Sequence, residues 1–233
     1  MNPSPRAART AGLLYLVTFA ASIPAVALLG PVLNDPRFVF GSGPAPTVLA
    51  GALLDLVNAA ACVGTAVVLY PLLRPLAPAR ALGFVTSRVL EASTIVAGVV
   101  ALLAVVTLRV RGVTDAAAGT VAAALVALRD WTFLLGPGLM PAINAALLAS
   151  ALFELRLVPR AIPMLGLVGA PLQLASVVAT LFGLTSQVST LAAIAVAPIF
   201  FWELSLGLWL AFRGVSPRGL RRRTRRRPRV PAR

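Results

Sequence analysis

The chain has 233 residues, of which 59 % are hydrophobic and 12 % charged, about half the charged share of an ordinary soluble domain. Its net charge of +14 comes from 21 basic and 7 acidic residues, and every basic residue is arginine. The single Cys62 excludes an intrachain disulfide. The lack of histidine excludes the common zinc sites and histidine proton relays, and the lack of lysine excludes Schiff-base and P-loop lysine chemistry.

At about 20 residues per crossing, this length and a mean hydropathy of +0.91 suit six transmembrane helices and leave no room for a separate catalytic domain. A short head, residues 1–10, carries Arg6 and Arg9. The first span, about 11–30, resembles a signal peptide with Ala25-Val26-Ala27 as a passable cleavage site. Its apolar run continues to Leu33, however, and nothing downstream looks like a secreted domain. The second span, 47–73, is entered through Gly41, Gly43, Pro44 and Pro46 and left at Pro71, Arg74, Pro75 and Pro78. The third is 81–108. The segment 109–130 is rich in Ala and Val between charged residues. Joined to the next span it would exceed about 50 Å, against a bilayer core of about 30 Å, so it is read as a helix on the outer surface. The remaining spans are 131–153, 161–184 and 188–212. Residues 213–233 have no periodicity and are expected to be a disordered basic tail. The expected fold is therefore an all-α membrane protein, a bundle of six transmembrane helices. Several are kinked by Pro24, Pro137, Pro141, Pro171 and Pro198.

Six spans divide the loop and tail arginines sixteen to four between the two sides of the membrane, with Arg88 inside a span. The positive-inside rule then puts both termini in the cytoplasm of a bacterial cell, with the protein in the inner membrane. Tyr70 and Trp209 near inner ends and Trp131 at an outer end suit interfacial anchors. In the tail, Arg221, Arg222, Arg223, Arg225, Arg226 and Arg227 are each worth about 1 kcal/mol against an anionic leaflet, so the expected partners are the bilayer and its anionic lipids. The tail has no aromatic residue on which bases could stack, so nucleic acid is not expected. A second copy of the chain or another membrane protein is a further candidate partner.

The third span places Arg88 and Glu91 three residues apart on one helical face. About fourteen Leu, Ile, Val and Phe residues contribute roughly −6 kcal/mol to its insertion, and two central charges cost roughly 5–7 kcal/mol, so the pair must be neutralised or buried in the bundle. Counted from the cytoplasmic ends, Arg88, Glu91, Asn144 and Glu203 share a layer about 10–15 Å deep. One arginine faces two glutamates there. If it pairs with only one, the other carboxyl becomes a candidate proton or cation site; a polar ligand pocket is another possibility. If Arg88 bridges both, the layer only locks helices together. Asp55 and Asn58 form a second polar stripe at helical spacing, continued by Cys62 and Thr65, and read first as a helix-packing device. Gln173 is a lone amide and reads as a packing hydrogen bond. Pro198 frees the carbonyl of Ile194, one to two turns outward of Glu203; broken helices beside buried charge occur in carriers, although membrane helices tolerate proline routinely. No nucleophile elbow, intramembrane Asp pair, phosphate loop or metal cluster is present, so neither an enzyme nor a cofactor is expected.

Five stretches carry a resemblance. They are Arg9-Thr10-Ala11-Gly12-Leu13-Leu14-Tyr15-Leu16, Leu69-Tyr70-Pro71-Leu72-Leu73-Arg74-Pro75, Arg88-Val89-Leu90-Glu91-Ala92, Leu157-Val158-Pro159-Arg160 with Leu165-Gly166-Leu167-Val168-Gly169-Ala170-Pro171, and Trp202-Glu203-Leu204-Ser205-Leu206-Gly207. In their order and spacing over about residues 8–215 the chain resembles the bacterial membrane family catalogued as domain of unknown function 4386. The resemblance implies a six-helix integral membrane protein with an uncleaved first span, and it implies no reaction, ligand or catalytic residue. The expected function is the binding or conduction of a small solute or proton through the Arg88, Glu91, Asn144 and Glu203 layer. The alternative is a structural or assembly subunit whose buried charges fix helix packing.

Overall fold

The computed structural model of the chain describes residues 5–112 and 115–216, and among these no strand occurs. The helices are α1 (Pro5–Leu28), α2 (Gly30–Asn34), α3 (Ala45–Leu73), α4 (Pro78–Val110), α5 (Ala116–Phe133), α6 (Met140–Leu155), α7 (Ala161–Leu181) and α8 (Thr190–Phe212). Taking Ala116–Leu155 as one run, six helical stretches are long and apolar enough to cross a membrane. The chain is thus an all-α protein of multi-pass membrane architecture.

Local chemistry explains most boundaries. Pro46 and Pro78 lie in the first turns of α3 and α4, where a missing N–H has no intrahelical partner to lose. Ser189 accepts the Ala192 N–H at 3.1 Å and so caps α8. Helix α1 starts at Pro5, ahead of the expected span, so Arg6 and Arg9 lie on its first turns. At the other end of the described chain, the Ser216 N–H donates to the Leu157 carbonyl at 2.8 Å, so residues 213–216 fold back on the α6–α7 connection. The six tail arginines from Arg221 to Arg227 lie outside the described residues.

The segment expected as a separate surface helix is α5, and it runs directly into the fourth span. Asp115 starts it by accepting the Ala118 N–H at 2.8 Å. Helices α5 and α6 are joined by a π turn over Leu134–Gly138 that contains Pro137. Proline has neither the N–H nor the space for a regular turn, so the helix widens there rather than stopping. The Ala142 N–H bonds the Leu139 carbonyl at 3.2 Å, which leaves the Gly138 carbonyl to accept from Gln173 Nε2 on α7. The lone amide of the fifth span is therefore a packing hydrogen bond across helices.

Six helices pack in the order α1, α3, α4, α6, α7, α8 and back to α1, which closes a ring, and α5 packs on α4. Small residues allow the closest approaches: a Cβ on Gly12 of α1 would collide with the backbone of Gly207 and Ala211 on α8. Besides a small cluster of Ala59, Cys62, Ala92 and Ile95, two larger apolar clusters fill the interior. One, at the end carrying the described termini, includes Tyr15, Leu69, Phe84, Leu148, Trp202 and Leu206; the other, at the far end, includes Leu29, Phe38, Val48, Leu102 and Val105. The far connection between α2 and α3 is held by Arg109. Its guanidinium stacks over Phe38 at 4.6 Å and donates to the carbonyls of Phe38, Gly41, Ser42 and Gly43. In the same connection Asp35 accepts the Ser42 hydroxyl and the Arg37 N–H, which hold its carboxyl below the usual carboxylate range.

Candidate functional site: a buried ion network and the cavity beside it

Between the two apolar clusters the ring brings its charged residues together. Arg88 on α4, only 1 % exposed, donates through Nη1 to Glu91 Oε2 and through Nη2 to Glu203 Oε1 on α8, each at 2.9 Å. Asn144 on α6 donates through Nδ2 to the same Glu91 oxygen at 2.7 Å, and Ser87 Oγ donates to Asn144 Oδ1. Arg88 therefore bridges both carboxylates, and neither lacks a cation. The arginine is also flanked by the rings of Tyr15 on α1 and Phe84 on α4, at 5.0 and 5.8 Å from the guanidinium carbon, and its Nη1 lies 3.6 Å from Cys62 Sγ on α3.

All four residues expected in the layer meet here, and five of the six ring helices contribute. Ser87, Tyr15 and Cys62 were not expected as members. Serine beside Arg88 on the same helix was a weak signal for the first. A tyrosine in an apolar span gives no sign of facing a charge 73 positions away. The one buried atom of the network without a partner is Arg88 Nε.

The second polar stripe leads elsewhere. Asp55 and Asn58 line a cavity of about 210 Å³ between α1, α3, α4 and α5, together with Ser22, Thr94, Arg129 and Thr132 and the apolar side chains of Ile95, Val99 and Phe133. Helix α5 reaches this wall because α4 offers Gly98: a Cβ there would lie 2.8 Å from Thr132 Oγ1. Arg129 is 7 % exposed and stacks over Phe133 at 4.3 Å. Among the described residues its guanidinium makes no hydrogen bond and no ion pair within 4.0 Å, and the same holds for the Asp55 carboxylate. The sequence reading counted Arg129 with the outer loops; the structure puts it inside, because the helix it belongs to is part of the bundle.

The cavity meets the network along two helices. On α3, Asn58 faces the cavity and Cys62, one turn on, touches Arg88; the thiol lies 3.9 Å from Asn58 Oδ1. On α4, Thr94 lines the cavity and Glu91, three residues earlier, is in the network. The network thus borders the cavity on the side nearer the described termini.

No curated protein and no solved structure matches the chain. A family model described as a domain of unknown function (DUF4386) matches residues 10–214, a stretch that holds the ring but for the first turn of α1, the ion network and the cavity. The chain belongs to that family.

Proposed function

We propose that this is a non-enzymatic membrane protein that admits a small solute to the chamber between α1, α3, α4 and α5. The Arg88 network is the closed partition between that chamber and the end of the bundle that carries the termini. The observation that supports this reading is the adjacency of Asn58 in the chamber to Cys62 in the network, one helical turn away. The solute sits in this chamber and not, as the sequence alone suggests, on the Arg88 layer itself. A guanidinium that satisfies two carboxylates, with Asn144 taking a further lone pair, has little left to offer a ligand, whereas the chamber has a carboxylate and a guanidinium with no direct hydrogen bond or ion pair. On the arginine count, the protein sits in a bacterial inner membrane with the chamber toward the periplasm and the arginines after Ser216 against the anionic cytoplasmic leaflet.

The test is thiol accessibility. In a Cys62→Ser background, Asn58→Cys in sealed vesicles is expected to react with a water-soluble, membrane-impermeant methanethiosulfonate applied from the chamber face and not from the opposite face. No reaction from either face would remove the chamber. The packing reading, a structural or assembly subunit, would then be left, and the tie that Arg88 makes between α4 and α8 favours it independently.

A further inference from the structure

The two opposite charges in the chamber, which make no direct ion pair, specify its ligand more narrowly. We infer that the cavity receives a small zwitterion, with an acid group held by Arg129 and a primary ammonium held by Asp55. This rests on the chamber reading and adds the chemical class of its occupant.

An arginine inside a membrane bundle normally faces a partner, because a charge withdrawn from water without one is strongly disfavoured. Arg88 follows that rule with two carboxylates. Arg129 makes no such contact: it lines the cavity with no hydrogen bond and no ion pair within 4.0 Å, Phe133 stacks on its guanidinium, and the opposite charges that act on it, Asp55 and Asp130, stand beyond that distance. The guanidinium fork suits a carboxylate or a phosphate, which it binds bidentately. Asp55 lies in the same cavity, beyond ion-pair distance of Arg129 but near enough for each to feel the other's charge. A lone anion would satisfy Arg129 and leave Asp55 bare, and a lone cation would do the reverse. One molecule with both groups satisfies both and leaves the site neutral. Asn58, Thr94 and Thr132 add amide and hydroxyl groups, and Ile95, Val99 and Phe133 offer a wall for an aliphatic body.

Size limits the choice. At about 30 Å³ per water-sized group, 210 Å³ corresponds to roughly seven such groups, the scale of an aliphatic amino acid or of a phosphoethanolamine head. Ile23 and Val26 of α1, which line the cavity, are 58 % and 51 % exposed on the bundle's surface, so the acid-plus-ammonium chemistry could enter from water or from a lipid.

The experiment uses the purified full chain. Its thermal unfolding is followed in detergent with leucine, with isoamylamine (ammonium only) and with 4-methylpentanoate (acid only). It is then repeated without additive in nanodiscs of phosphatidylethanolamine and of phosphatidylglycerol. The expected result is a rise in Tm of about 5–10 °C with saturating leucine or in the phosphatidylethanolamine discs, with the single-charge analogues giving less than a third of it. A response to leucine identifies a soluble solute, and a response confined to phosphatidylethanolamine identifies a lipid head. In either case Arg129→Gln and Asp55→Asn should each abolish the shift, and Arg129→Lys should weaken binding about tenfold through loss of the bidentate fork. Equal stabilisation by an analogue, or no response to leucine or to phosphatidylethanolamine, would overturn the zwitterion. The analogue arms use the unaltered chain, so they decide even where a variant fails to fold. Labelling at position 58 without a zwitterion response would discard the ligand class and keep the chamber.

Discussion

Removing Arg88 and removing Glu203 are opposite experiments, although the two side chains share one ion pair. Arg88→Gln leaves two buried carboxylates facing each other without a cation, and loss of one member of a buried ion pair typically costs about 3–5 kcal/mol. Glu203→Gln leaves the Arg88–Glu91 pair intact and keeps an amide oxygen near Nη2, so a loss within about 1 kcal/mol is expected. Chemical unfolding of both variants in detergent measures the difference, and equal losses would contradict the bridging geometry. At this scale the sequence was informative where charge interrupted an apolar run: Arg88, Glu91, Asn144 and Glu203 were visible because each is costly in a bilayer. Tyr15 and Cys62 were not, because both are ordinary residues in a membrane helix and only the ring places them against Arg88. Arg129 was hidden for another reason. Next to Asp130 and Trp131 it counts among the four outer-side arginines, and only the continuity of α5 with α6 draws it inward.

Among the elements, the contact of α1 with α8 is the most sensitive to side-chain size. Gly12→Leu inserts a branched side chain where the backbone of Gly207 and Ala211 already touches, and overpacking of this kind costs about 1–3 kcal/mol. A lower midpoint of thermal unfolding in detergent is expected, whereas Gly30→Leu at the far connection, where a Cβ finds only Asn34 at 3.7 Å, should change it little. Helix starts were legible from Pro46 and Pro78, since proline acts locally, whereas the caps Asp115 and Ser189 show only in the structure. What could not be read was the joining of α5 to α6. Gly136-Pro137-Gly138 signals an interruption, but a kink, a break and a π turn have the same sequence signature. The choice is made by tertiary contacts such as Gln173 Nε2 to the Gly138 carbonyl.

For the whole molecule, six crossings put the two ends of the described chain on one side, and the arginine distribution predicts that side to be the cytoplasm. A reporter fused after Arg233 should be active only in its cytoplasmic form, and one inserted after Gly112 only in its periplasmic form. The reverse pattern would invert the chamber as well as the termini. The closed ring also has a consequence in time. Glu203 follows Arg88 by 115 residues, so at about 5–20 residues per second α4 enters the membrane roughly 6–23 s before its second carboxylate is made. During that interval Arg88 has Glu91 as its partner on the same helix, and Asn144 arrives about halfway through. Helix α8 completes the charge network and closes the ring against α1 in the same event, so of the six described spans it is the sixth that commits the bundle to its final form.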